Sequence, residues 1–160
     1  MKKYVQAVIT IVIIIAIVFI AKTFAYKRVS VRSFIKTSSV ERLWGEMGTY
    51  DKNGEFTVEK TFESEDIAGD IDKLSQFRLS ETKGLVRRTK EGEGELRFYF
   101  YLNEYETDML YVTEDGKAFT DVYTVKRSYI PRDEGMFEKL KNEFFMVRLP
   151  EGAAEVSDGK

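Results

Sequence analysis

The side chains in this chain that could do chemistry are acids, lysines, arginines and tyrosines, because it contains neither histidine nor cysteine. That excludes Ser-His-Asp and Cys-His machinery, histidine and thiolate metal sites, disulfides and lipid attachment to a thiol. Carboxylate chemistry, lysine chemistry, oxygen-ligated cations or binding without reaction remain. Paired carboxylates occur at Glu63, Glu65 and Asp66, at Glu104, Glu106 and Asp108, and at Asp133 and Glu134. A glycosidase needs two carboxylates held across a cleft, one with its pKa raised by burial. Each of these groups falls at a turn or a helix start, as solvated acidic surface does. Asp51, Asn53 and Glu55 alternate around Gly54, but an EF-hand loop needs its glycine sixth and a carboxylate twelfth, and this glycine is fourth. Gly92 and Gly94 lie among glutamates, with no lysine and Ser or Thr following in P-loop order. Both stretches read as turns, so no catalytic residue, metal site or cofactor is expected.

Recognition is the chemistry left. In ELRFYFYL, Leu96, Phe98, Phe100 and Leu102 face one way and Arg97, Tyr99 and Tyr101 the other, the period of a strand with one buried face. Tyr111 and Tyr123 join the second set if the neighbouring strands pair in the obvious register. Tyrosine and arginine are enriched at recognition surfaces, which makes Arg97, Tyr99, Tyr101, Tyr111 and Tyr123 a candidate partner-binding face. Tyrosine is equally an ordinary strand residue whose ring packs under a helix while its hydroxyl reaches water. Trp44 reads as a core or rim aromatic.

The elements that must position these residues follow from periodicity and turn chemistry. Strands are expected near 40–48 and 55–62, joined at Asn53-Gly54. A short helix over 39–47 competes, because Ser38 with Glu41 matches a capping box and Val40, Leu43, Trp44 and Met47 recur at helical spacing. Ser64, followed by Glu65 and Asp66, caps a helix near 65–77 with Ile67, Ile71 and Leu74 on one face. GLVRRTK fits a strand and EGEGE a turn into the strand of Phe98. DMLYVT and AFTDVYTV are strands joined at Asp115-Gly116, and Pro131 ends the sheet before a helix within 133–146 striped by Met136, Phe137, Leu140 and Phe144. The expected domain, 37–150, is α+β, a mainly antiparallel sheet with two helices packed on one face.

Ahead of it, residues 4–21 are apolar apart from Gln6 and Thr10 and are flanked by Lys3 and Lys22. As a helix they span roughly 27 Å, close to the bilayer hydrocarbon thickness, so 1–26 reads as a transmembrane signal-anchor holding the chain to the membrane. A cleaved signal peptide is the rival, although Thr23-Phe24-Ala25 is a weak cleavage match. Residues 27–36 read as a basic juxtamembrane stalk and 151–160 as a disordered tail. Residues 1–36 hold seven basic side chains and no acid; the remainder carries a balance of −9, which repels nucleic acid. The MKK start favours a domain carried outside the cell, whereas five basic residues after the apolar stretch favour the opposite orientation.

An N-terminal apolar segment followed by SVERLWGEMGTYDKNGEFTVEKTF, the SEDIAGDIDKLSQF helix, ELRFYFYL and MLYVTEDGKAFTDVYTV resembles the small membrane-anchored or secreted α+β domains of unknown function in Gram-positive bacteria. The resemblance implies an envelope setting and brings no catalytic residue. The expected function is therefore that of a non-enzymatic, membrane-anchored extracytoplasmic domain binding an envelope protein or polymer. The alternative is a cytoplasm-facing regulatory or inhibitory subunit of a membrane complex.

Overall fold

Period-two alternation governs most of the chain, and the backbone follows it. The computed structural model describes residues 9–17, 28–85, 87, 90–122 and 125–146. Among them are strands β1 (Arg28–Val29), β2 (Arg42–Tyr50), β3 (Phe56–Glu63), β4 (Leu79–Thr82), β5 (Gly94–Tyr101), β6 (Thr107–Thr113), β7 (Lys117–Val122) and β8 (Val125–Pro131). Residues 9–17 form helix α1; α2 is Ile67–Ser75, and α3, Met136–Lys141, continues into a π-helical turn, Asn142–Met146. The described strands make one antiparallel sheet in the order β1-β4-β8-β7-β6-β5-β2-β3.

That order requires three long crossings. The β5-to-β8 meander lies in the middle, with the β2–β3 hairpin on one side and β4 with β1 on the other. The chain must therefore cross the sheet from β1 to β2, again from β3 to β4, and a third time from β4 back to β5. Helix α2 makes the β3-to-β4 crossing on the face where Leu43, Phe62, Leu96, Phe98, Phe100 and Leu110 are buried; Ile71 and Leu74 of α2 join that cluster, as do Met136, Phe137 and Leu140 of α3. Phe144 then seats its ring 5.4 Å from Phe98 and 5.1 Å from Phe62. Gly45 is what lets Phe62 in: a Cβ there would lie 2.3 Å from the Phe62 ring. The return connection, residues 83–93, has no helix among its described residues and brings Arg87 onto the opposite face.

The structure corrects several expectations. Among the described residues the transmembrane helix expected over 4–21 is not found: α1 is described over nine residues, 9–17, about 14 Å, roughly half a bilayer core, and 4–8 and 18–21 fall outside the described residues. No helix among the described residues is long and apolar enough to cross a membrane. The membrane and signal-anchor reading is overturned with it. The residues read as a stalk are packed against the domain, because Arg28–Val29 pairs with β4 and Val31 and Ile35 enter the core. The described residues of GLVRRTK, Gly84, Leu85, Arg87 and Lys90, belong to no strand, and a strand is found earlier, over Leu79–Thr82. AFTDVYTV is not one strand, since the chain reverses between Val122 and Val125, which pair with each other. The expected tail, 151–160, falls outside the described residues.

Smaller differences have local causes. Tyr50 pairs with Phe56 and Thr113 with Lys117, so the loops are 51–55 and 114–116 rather than two-residue turns. Gly54 and Gly116, at φ +78° and +77°, supply the left-handed residue that closes each. Helix α2 is capped by Asp66, whose carboxylate accepts the Gly69 N–H at 3.0 Å, not by Ser64. The Ser64 hydroxyl instead donates to Asp70 at 2.7 Å. Of the two readings of residues 39–47 the strand prevails: hairpin and sheet partners on both sides of β2 outweigh a helix interrupted by glycine.

Candidate functional site: the open face of the sheet

Register places the candidate residues. Arg97 pairs with Tyr111 and with Glu46, and Tyr99 with Trp44 and Met109, so these side chains, with Tyr101 and Tyr50, project from the face that α2 and α3 do not cover. Arg97, Tyr99, Tyr101 and Tyr111 are thus brought onto one surface. Tyr123 lies outside the described residues. The surface divides into a buried ionic centre and a half-exposed aromatic ladder.

The ionic centre is organised around Glu95, which shares the parity of Arg97 and is only 1% exposed. Arg87 Nε donates to Glu95 Oε2 at 2.8 Å, and a second guanidinium nitrogen of Arg87 closes a fork on Oε1. Arg97 Nε donates to the same Oε1 at 2.8 Å, and the Tyr50 hydroxyl does so at 2.9 Å. Arg87 and Arg97 also donate to the Tyr50 oxygen at 2.8 and 3.2 Å. Each guanidinium lies over a ring as well, Arg97 3.4 Å from the Phe56 centroid and Arg87 3.9 Å from that of Tyr111. A buried carboxylate demands this many donors, because taking it out of water costs several kcal/mol unless it is paired and fully hydrogen-bonded. Burial works to lower the pKa of both arginines, but hydrogen bonds and charge from Glu95 outweigh it and hold both above the usual arginine value. Burial likewise pushes up the hydroxyls of Tyr50 and Tyr111.

The ladder runs Trp44, Tyr99, Tyr101 and Arg42 across β2 and β5. Trp44 and Tyr99 have centroids 5.3 Å apart, Tyr99 and Tyr101 stack at 6.4 Å, and the Arg42 guanidinium lies 5.5 Å from the Tyr101 ring. The Tyr99 hydroxyl donates to Glu46 at 2.7 Å; burial, then that bond, pushes its pKa up to about 12. Arg42 pairs with Glu63 at 2.7 Å on the rim. The rings lean on one another and stay half-exposed, so the ladder offers aromatic surface interleaved with hydroxyl, carboxylate and guanidinium groups.

The acidic groups singled out in the sequence go elsewhere. Asp51 Oδ1 accepts the N–H groups of Asn53 and Glu55, both at 2.8 Å, and so caps its own turn. Asp133 accepts the Arg78 N–H at 2.8 Å. Asp108 departs from the solvated reading, for it is buried in β6. Gly92 donates its N–H to the Tyr50 carbonyl at 2.9 Å, tying the EGEGE turn to the end of β2. Among the described residues no group of three or more Asp or Glu is placed to hold a metal ion.

Sequence reading missed Glu95, Arg87, Tyr50, Glu46 and Phe56 as members of this face. Glu95 and Glu46 were within reach of it: Glu95 stands two residues before Arg97, and Glu46 two after Trp44, on strands whose parity was legible. Arg87 was not, because its place depends on which face the return connection crosses. Comparison of the chain with protein-family models, curated proteins and solved structures finds no match; the resemblance to Gram-positive envelope domains rests on pattern alone.

Proposed function

We propose that the domain from Arg28 onward is a non-enzymatic binding module that meets an extracytoplasmic protein or polymer of the cell envelope through its open face. The observation that carries the reading is that both sheet-packing helices, α2 and α3, bury the Phe98 face, so that Trp44, Tyr99 and Tyr101 stay half-exposed beside charged neighbours. Aromatic and arginine side chains in that setting supply contact area at small entropic cost. The most deeply buried carboxylate of this face, Glu95, has both oxygens engaged by arginine and tyrosine donors, an arrangement suited to holding structure rather than to proton transfer. The extracytoplasmic setting rests on the resemblance, in pattern, of SVERLWGEMGTYDKNGEFTVEKTF, ELRFYFYL and MLYVTEDGKAFTDVYTV to envelope domains.

The test is capture of purified envelope polymer and, separately, of solubilised envelope proteins by the immobilised full-length chain. Tyr99→Ala with Tyr101→Ala should abolish whichever capture is seen while the protein stays folded. Undiminished capture by the double variant would remove the ladder from recognition.

A further inference from the structure

Arg87 and Glu95 differ in where they come from. Glu95, Tyr50 and Tyr111 stand on three adjacent strands, β5, β2 and β6, and are fixed by sheet register. Arg87 comes from the return connection, in which Leu85, Arg87 and Lys90 belong to no helix or strand. The Glu95 carboxylate is 1% exposed and the Arg87 side chain 30%. The strands therefore form a preorganised receptor, and the loop supplies what fills it.

The receptor's chemistry is specific. A carboxylate engaged through both oxygens by neighbouring nitrogens of one planar cation, a phenol oxygen accepting a further N–H, and a ring 3.9 Å from the cationic carbon match a guanidinium on its edge and on its face. An ammonium cannot reproduce this set, because it is a compact point charge without the planar fork. A groove of about 340 Å³ opens beside Arg87, floored by Tyr111 and Phe119 and reaching Asp121 and Lys126. That is room for residues flanking an inserted side chain.

We infer that Glu95, Tyr50 and the Tyr111 ring form an arginine-recognition site, occupied in cis by Arg87, whose ligand in trans is the arginine side chain of a partner peptide seated along the Phe119 groove. The exchange is one of like for like, so the ionic centre is never left unpaired. Arg87 competes at the millimolar effective concentration typical of a short tether, which keeps the site closed to weak ligands and open to a peptide that also fills the groove. The inference stands apart from the role proposed for the ladder, which uses other side chains.

Removing the cis arginine tests it. The full-length Arg87→Ala chain should melt at a lower temperature than the wild type. Acetyl-arginine amide at millimolar concentration should restore part of that loss, whereas acetyl-lysine amide should not. The variant should bind the arginine probe about tenfold or more tighter than the wild type does, since the tethered competitor is gone. If Arg87→Ala does not fold, Arg87→Met keeps the aliphatic stem and takes the same titration. Adding Glu95→Gln to either variant should abolish the response. In the wild type, excess arginine probe should shift the Nε–H resonance of Arg87. Equal responses to arginine and lysine probes, or none in the variant that folds, would show Arg87 to be a brace and overturn the site.

Discussion

The two faces of one strand, β5, teach different lessons about burial. Leu96, Phe98 and Phe100 are fully buried in an apolar cluster beneath two helices, where stability comes from area removed from water and close packing. Glu95 is buried almost as completely one residue away, on the face without a helix, and what excludes water there is two arginines, a phenol and a loop. The apolar face tolerates no voids. The ionic centre tolerates no missing partner, because its attractions roughly offset its desolvation.

The largest effect should come from voids on the apolar face. Phe98→Ala, which removes a ring packed against Phe62, Phe144 and Phe145, should cost about 3–5 kcal/mol in urea unfolding. Glu95→Ala should cost nearly as much, about 3 kcal/mol, because two guanidinium groups lose their shared carboxylate. The contrast sharpens when all three members are replaced. The triple change Arg87→Met, Glu95→Leu and Arg97→Met should fall within about 1 kcal/mol of the wild type or exceed it, and a loss as large as that of Glu95→Ala would mean the ionic centre stabilises the fold on balance. Truncating the ladder in Tyr99→Ala with Tyr101→Ala should cost about 1–2 kcal/mol, the worth of half-exposed cross-strand aromatic pairs.

Alkaline pH separates the faces more gently. Tyr99 is raised to about 12 in the folded chain against an ordinary value near 10. The stability this represents is complete below about pH 10 and is lost as pH climbs toward 12, since the unfolded chain gives up that proton first. The urea midpoint should therefore fall across that window, and Tyr99→Phe should fall less. Smallest of all is the rim pair: Arg42→Ala, which removes a solvent-exposed bond to Glu63, should leave the midpoint where it is.

Much of the fold was legible because alternation is a local signal. The strand of Phe98, the β2–β3 hairpin, helix α2 and the striped terminal helix each follow from spacing and turn residues within a dozen positions. What was not legible depends on distant partners. Val122 and Val125 reverse the chain inside a run that reads as one strand, and β4 forms at Leu79–Thr82 because β8 offers its edge there. The site shows the same division. Arg97, Tyr99 and Tyr101 were placed together by parity, whereas Arg87 reaches Glu95 only because the return connection crosses the face opposite α2, and no local pattern records that choice.

The division of labour between the two faces is tested most directly by unfolding Phe98→Ala and the Tyr99→Ala, Tyr101→Ala pair side by side in urea, with envelope capture measured on the same samples. The account predicts a large loss of stability for the phenylalanine variant, a small one for the tyrosine pair, and loss of capture in the tyrosine pair while it remains folded. A tyrosine pair as unstable as Phe98→Ala, or a folded one that captures as well as the wild type, would contradict it.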